Sequence, residues 1–112
     1  MKNPQRFPNY RQGDVLIFSL QAKYARGMKS IIAEGFKFKD TNVIIEGEIS
    51  GHKHEVENGK LYEKDNKIII EAQADCVIKH PEHTPIKLPQ GIYEIDIQEE
   101  YDEVKHASKV KD

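Results

Sequence analysis

Cysteine occurs once in these 112 residues, at Cys76, so no internal disulfide can form. That scarcity fits a reducing compartment and predicts a cytoplasmic protein. Set within "DCVIK", the lone thiol is expected to serve as a small buried hydrophobe rather than as a nucleophile. Net charge is nearly missing too: 17 basic against 19 acidic residues leave a formal charge of −2. No global field then draws the chain to nucleic acid or to an anionic membrane. No apolar run approaches the roughly 20 residues of a membrane helix, and "MKNPQRFPNY" lacks the apolar segment of a secretory signal. No membrane partner is expected. There is no glycine-rich loop leading into a helix, no serine in a nucleophile elbow and no CxxC pair, which sets aside nucleotide-cradling and thiol chemistry.

What the chain does contain is short β-forming runs. A polar start with Pro4 and Pro8 gives way at Gly13 to "DVLIFSL", the expected first strand. "QAKYARGMKS" has no clear apolar period and an internal glycine, so it is expected to be a loop or one helical turn. Then follow "SIIAEGF", "NVIIEGEIS", "GKLYEK", "KIIIEAQ", "DCVIKH" and "GIYEIDIQ", separated by Gly, Asn, Asp or Pro. Strands recurring about every 8 to 12 residues between turn residues predict an all-β fold. The expectation is a single small β-barrel or sandwich of about six to eight short, mostly antiparallel strands. At this length it forms one domain, residues 1–112. Within it, residues 1–12 read as an N-terminal arm, 13–100 as the β core and 101–112 as a loosely packed, charged tail.

Two turns carry specific expectations. Asp65-Asn66 tolerates positive φ, which predicts a hairpin joining "KLYEK" to "KIIIEA". "LPQG" places Pro89 and Gly91 for a turn that launches a last strand. There, alternation sends Tyr93, Ile95 and Ile97 toward the core, with Ile92, Glu94, Asp96 and Gln98 on the other face.

Histidine is the residue most unevenly distributed. Four of five fall into two clusters, His52 and His54 in "SGHKHEV" and His80 and His83 in "KHPEHTP"; His106 lies in the tail and reads as solvated. Residues two apart on a strand project to the same side, so His52 and His54 form a pair suited to a metal that takes imidazole nitrogens at about 2.0 to 2.1 Å. Pro81 disfavours continuing the ladder, so "HPEH" is expected to be a tight bend that brings His80 and His83 together. A strand pair and a bend pair meeting over one site would hold zinc or another divalent transition metal, with copper and nickel as competitors. Glu82 and His83 are the candidate catalytic residues, as base or as activator of a bound water. Glu55 should face away from His54. Lys23, Arg26 and Lys29 around Tyr24 form the one stretch suited to phosphates, a minor reading that leaves nucleic acid unfavoured. Tyr101 with Glu99 and Glu100 would cover the edge of the site or plug a charged turn.

Taken together, "QGDVLIF", "GEISGHKHEV", "LYE", "KHPEHTPIKLPQGIYEI" and "QEEYD" resemble a group of small uncharacterised bacterial and phage proteins. That group has a glycine-histidine-x-histidine strand, a histidine-x-x-histidine bend and an LPxGxY turn. The likeness spans roughly residues 12–102 and implies a compact β fold. A weaker similarity links Gly47, His52, His54, Glu57 and Gly59 to the first motif of cupins, which implies a metal-binding β-barrel; the second cupin motif is not cleanly present.

Two functions of different classes follow. One is a metal-dependent hydrolase in which three histidines hold the ion and leave a position for water, with a metal-free histidine acid–base pair as its variant. The other is a non-catalytic binding or accessory module, with a structural metal site or none. Its partner, a small molecule or a protein, is left open by the sequence.

Overall fold

The computed structural model describes residues 7–20, 27–46 and 53–97, and everything below concerns those residues. Eight strands form one antiparallel sheet: β1 (Tyr10–Gln12), β2 (Val15–Ser19), β3 (Lys37–Lys39), β4 (Val43–Glu46), β5 (Lys53–Lys64), β6 (Lys67–His80), β7 (His83–Leu88) and β8 (Gly91–Ile97). One helix, α1 (Met28–Ala33), precedes β3. The strand order is β1-β2-β8-β6-β5-β3, with β4 added to β5 and β7 to β6.

The all-β expectation holds, and several boundaries move. "SIIAEGF" was expected to be a strand; "SIIA" instead belongs to α1. Two adjacent isoleucines weigh toward β structure. Here Met28 and Ile31, three apart on one helical face, pack into a cluster with Leu20, Phe36, Ile69 and Ile92, while Ile32 stays exposed. Burying one isoleucine contributes about 1.5–3 kcal/mol, more than the few tenths by which helix propensity disfavours it. "KIIIEAQ" and "DCVIKH" are one 14-residue strand, β6. β1, β3 and β7 were not anticipated, and β1 lies inside the expected N-terminal arm.

The expected turns are present. Asp65 and Asn66 have φ of 49° and 69°, and Lys64 pairs with Lys67 across them. Such positive angles match the twist of a two-residue hairpin. β8 begins at Gly91; Tyr93 and Ile95 are buried in the main core, with Ile97 packed against it. Ile92, assigned to the other face, is buried there beneath α1.

The long β5–β6 hairpin is what gives the sheet two halves. Its register passes from Glu57↔Val77 to Gly59↔Ala72, so residues 73–76 of β6 stand against the single Asn58 of β5. Such a bulge bends the strand and sharpens its twist. Asn58 and Asp75 take φ of 60° and 62°, and the Asn58 side-chain amide donates to the Asp75 carbonyl at 3.0 Å. Gly59 is required at the bend: a Cβ there would lie 2.8 Å from Val56 Cγ1 and 3.2 Å from Cys76 Sγ. On one side of the bulge β6 pairs with β8, on the other with β7. The inward faces of both halves share one core, including Val15, Ile17, Tyr93 and Ile95 from the first and Val56, Ile78 and Leu88 from the second. The curl brings β1 beside β7. Cys76 sits in this core, fully buried, and desolvation pushes its thiol up to about 11. The expectation of a buried cysteine holds.

Candidate functional site

The second half of the sheet sets three histidines in a row across three strands. β5 and β6 pair Glu55 with Lys79, and one further step of that register sets His54 opposite His80. The two-residue loop Pro81–Glu82 then turns the chain so that His80 pairs with His83 at the start of β7. The expected bend at "HPEH" is this hairpin. Pro85, whose ring cannot donate to a ladder, falls where the β6–β7 register slips between Ile78 and His80. Ring centroids of His54 and His80 are 4.3 Å apart, those of His80 and His83 4.4 Å, and those of His54 and His83 6.1 Å. His54 is fully buried, His80 is 7% exposed and His83 faces outward.

The turn between β1 and β2 closes over this row. Gln12, 2% exposed, donates from Nε2 to the Ile78 carbonyl and to the Thr84 carbonyl, each at 3.0 Å. Two carbonyls can only accept, so the orientation of the amide is settled: Oε1 is the atom 2.9 Å from His54 Nδ1. His54 Nδ1 must then carry the proton, and in the neutral ring Nε2 carries the lone pair. Gly13, next in the turn, has φ of 58°, and a Cβ on it would stand 2.7 Å from His83 Nε2. The His83 ring therefore lies on the bare Cα of Gly13.

His80 has the opposite tautomer. The backbone N–H of Glu82 donates to His80 Nδ1 at 3.0 Å. A backbone amide cannot accept, so Nδ1 holds the lone pair and Nε2 the proton. Both Nε2 atoms are buried.

The sequence-predicted residues thus divide. His54, His80 and His83 are brought together. His52 lies outside the described residues, as do Lys23, Tyr24, Arg26, Glu99, Glu100, Tyr101 and His106. Glu82 meets the cluster through its backbone amide, with its side chain exposed. Glu57, part of the cupin-like pattern, lies on the outer surface bonded to Lys79 at 2.7 Å, away from the cluster. Gln12 is the residue that sequence reasoning missed. Among the described residues no three His, Cys, Asp or Glu side chains are arranged to hold a metal ion together.

Imidazole nitrogens bind zinc at about 2.0–2.1 Å, which puts each ring centroid about 3.2 Å from the ion and two such centroids at most about 6.4 Å apart. His54 and His83 are within that span. A ligating imidazole must also present a lone pair to the metal and usually donates its other N–H to a protein acceptor. His54 meets this requirement through Gln12. His80, accepting at Nδ1, does not.

Among the described residues, no helix is long and apolar enough to cross a membrane. No curated protein and no solved structure matches the chain. A family model described as a domain of unknown function, DUF8820, matches residues 11–98, from within β1 to just past β8. The chain belongs to the DUF8820 family.

Proposed function

We propose that this chain is a small binding domain that takes up one transition-metal ion at His54, with His52 and His83 as further ligands. The observation that carries the reading is the Gln12–His54 hydrogen bond. By fixing the proton on Nδ1 it gives Nε2 the lone pair that a metal requires. His52 stands two residues before His54 in the sequence, the spacing of a His-x-His ligand pair. Zinc is the first candidate because three imidazoles suit it, with copper and nickel as rivals. Burial of His54 and His80 favours binding over turnover of a large substrate, because a polymer cannot reach their rings. For that reason the hydrolase reading ranks second.

The test is metal analysis of tag-free protein purified without chelator, followed by calorimetric titration with zinc. The expected result is close to one equivalent per chain, lost in His54→Ala. Less than a tenth of an equivalent with no uptake of added zinc would remove the proposal.

A further inference from the structure

The bulge in β5 holds the chain's one Asn-Gly pair, Asn58-Gly59; the other four asparagines are followed by Pro, Tyr, Val and Lys. An asparagine loses its side-chain amide when the backbone nitrogen of the next residue attacks its Cγ, and a Cβ on that next residue hinders the approach. Glycine has none. We propose that Asn58 is a site of spontaneous deamidation, at which Gly59 N closes on Asn58 Cγ because the bulge leaves that nitrogen outside the strand ladder.

Both residues of the Asp65-Asn66 turn have positive φ, so the flanking pair Lys64↔Lys67 is a hydrogen-bonded one, and bonded and non-bonded pairs alternate from there. Counted back along β5, Gly59↔Ala72 falls on a non-bonded step. Gly59 N–H therefore points away from β6. On that other side β3 pairs with β5 only as far as Lys39↔Leu61, and β4 only from Val43↔Glu55, with Asn42 accepting from Val56 N at 2.8 Å. Among the described residues, Gly59 N lies in the gap between these two strands. The Asn58 side chain is exposed, and its bond to the Asp75 carbonyl uses an N–H of the amide, which leaves the electrophilic Cγ uncovered.

The bond that forms is Gly59 N to Asn58 Cγ; the bond that breaks is Cγ–Nδ2, and the Gly59 proton leaves with Nδ2 as ammonia. Water then opens the cyclic imide. Attack at the side-chain carbonyl gives aspartate, whereas attack at the main-chain carbonyl gives isoaspartate, in which the main chain runs through the side-chain methylene. Either product puts a carboxylate, which only accepts, where the amide donated to the Asp75 carbonyl. Isoaspartate also lengthens β5 at the residue that stands alone against residues 73–76 of β6. The reaction thus loosens the bend between the two halves of the sheet.

Peptide mapping by mass spectrometry, after prolonged incubation of the folded parent protein in warm neutral buffer, is the measurement. Asn58 should convert at least about tenfold faster than Asn9, Asn42 or Asn66, a barrier difference of about 1.4 kcal/mol, and should yield two products of equal mass. The converted protein, separated from the parent by its added negative charge, should unfold at lower urea. Asn58→Gly keeps the positive φ without the electrophile, so its unfolding midpoint should not drift during the same incubation. A parallel incubation in urea separates the dipeptide from the fold. If Asn58 converts only in the unfolded chain, the bulge protects it and the inference fails. Conversion in the folded protein no faster than at the other asparagines overturns it as well.

Discussion

His54 and His80 face one another with ring centroids 4.3 Å apart, and they keep their protons on opposite nitrogens. Side chains directly opposite on adjacent strands are close by construction, so proximity alone says little. The asymmetry comes from outside the pair, from a glutamine on β1 and an amide in the β6–β7 loop. It makes the first hairpin as much a part of the site as the histidines.

Gln12→Leu tests that dependence through stability. The substitution strips a donor from two carbonyls and the acceptor from a buried imidazole N–H, in a position 2% exposed. Leaving such groups unsatisfied costs about 1–3 kcal/mol each, with partial relief from relaxation and water. Urea unfolding should show a loss of about 3 kcal/mol. A change within about 0.5 kcal/mol would mean that the amide does not hold the strands as described.

Gly13 and His83 should be coupled. Alanine at position 13 pays for positive φ, about 1–2 kcal/mol, and also meets the His83 ring at 2.7 Å. In a His83→Ala background only the first cost remains. A double-mutant cycle should therefore give a coupling of about 1 kcal/mol, with Gly13→Ala milder when the ring is absent. Strict additivity would place the His83 ring elsewhere.

Alkaline pH should weaken the fold through Cys76. Its thiol, raised by burial from 9.0 to about 11, stays protonated in the folded chain while the unfolded chain has already lost the proton. Unfolding then releases a proton across this window, so stability is fully present below pH 9 and falls as pH rises toward 11. Two pH units correspond to about 2.7 kcal/mol. Burial also lifts the phenols of Tyr62 and Tyr93, which steepen the same limb. The comparison that isolates the thiol is the slope of stability against pH in Cys76→Ala, which should be shallower than in the parent protein. Equal slopes would refute the assignment.

Local chemistry accounts for what could be read ahead of the structure. The Asp65-Asn66 turn, the inward face of β8 and the meeting of His80 with His83 across Pro81–Glu82 each depend on residues within a few positions of one another. Features that depend on distant partners were missed. Ile31 and Ile32 look like strand residues until Ile69 and Ile92 supply a surface for one face of a helical turn. The merging of two runs into β6 depends on the bulge against Asn58, which has no sequence signal beyond a few turn-formers. Gln12 is the clearest case. A glutamine before a turn glycine is unremarkable, and its partners Ile78 and Thr84 lie 66 and 72 residues away. The one usable hint was the pair of glycine-adjacent polar residues in "QGD", which marks a turn and not a role.

That separation sets a timetable for biosynthesis. Gln12 is translated well before its partners, and it cannot make its full set of bonds until the β6–β7 hairpin has followed, 72 residues later for Thr84. At about 5–20 residues per second, the wait is several seconds. During it β1 has no hairpin to close upon, and the histidines meet only once nearly the whole described chain is available. The Gln12–His54 contact, with its anchors on the Ile78 and Thr84 carbonyls, is therefore complete only after the β6–β7 hairpin has been made.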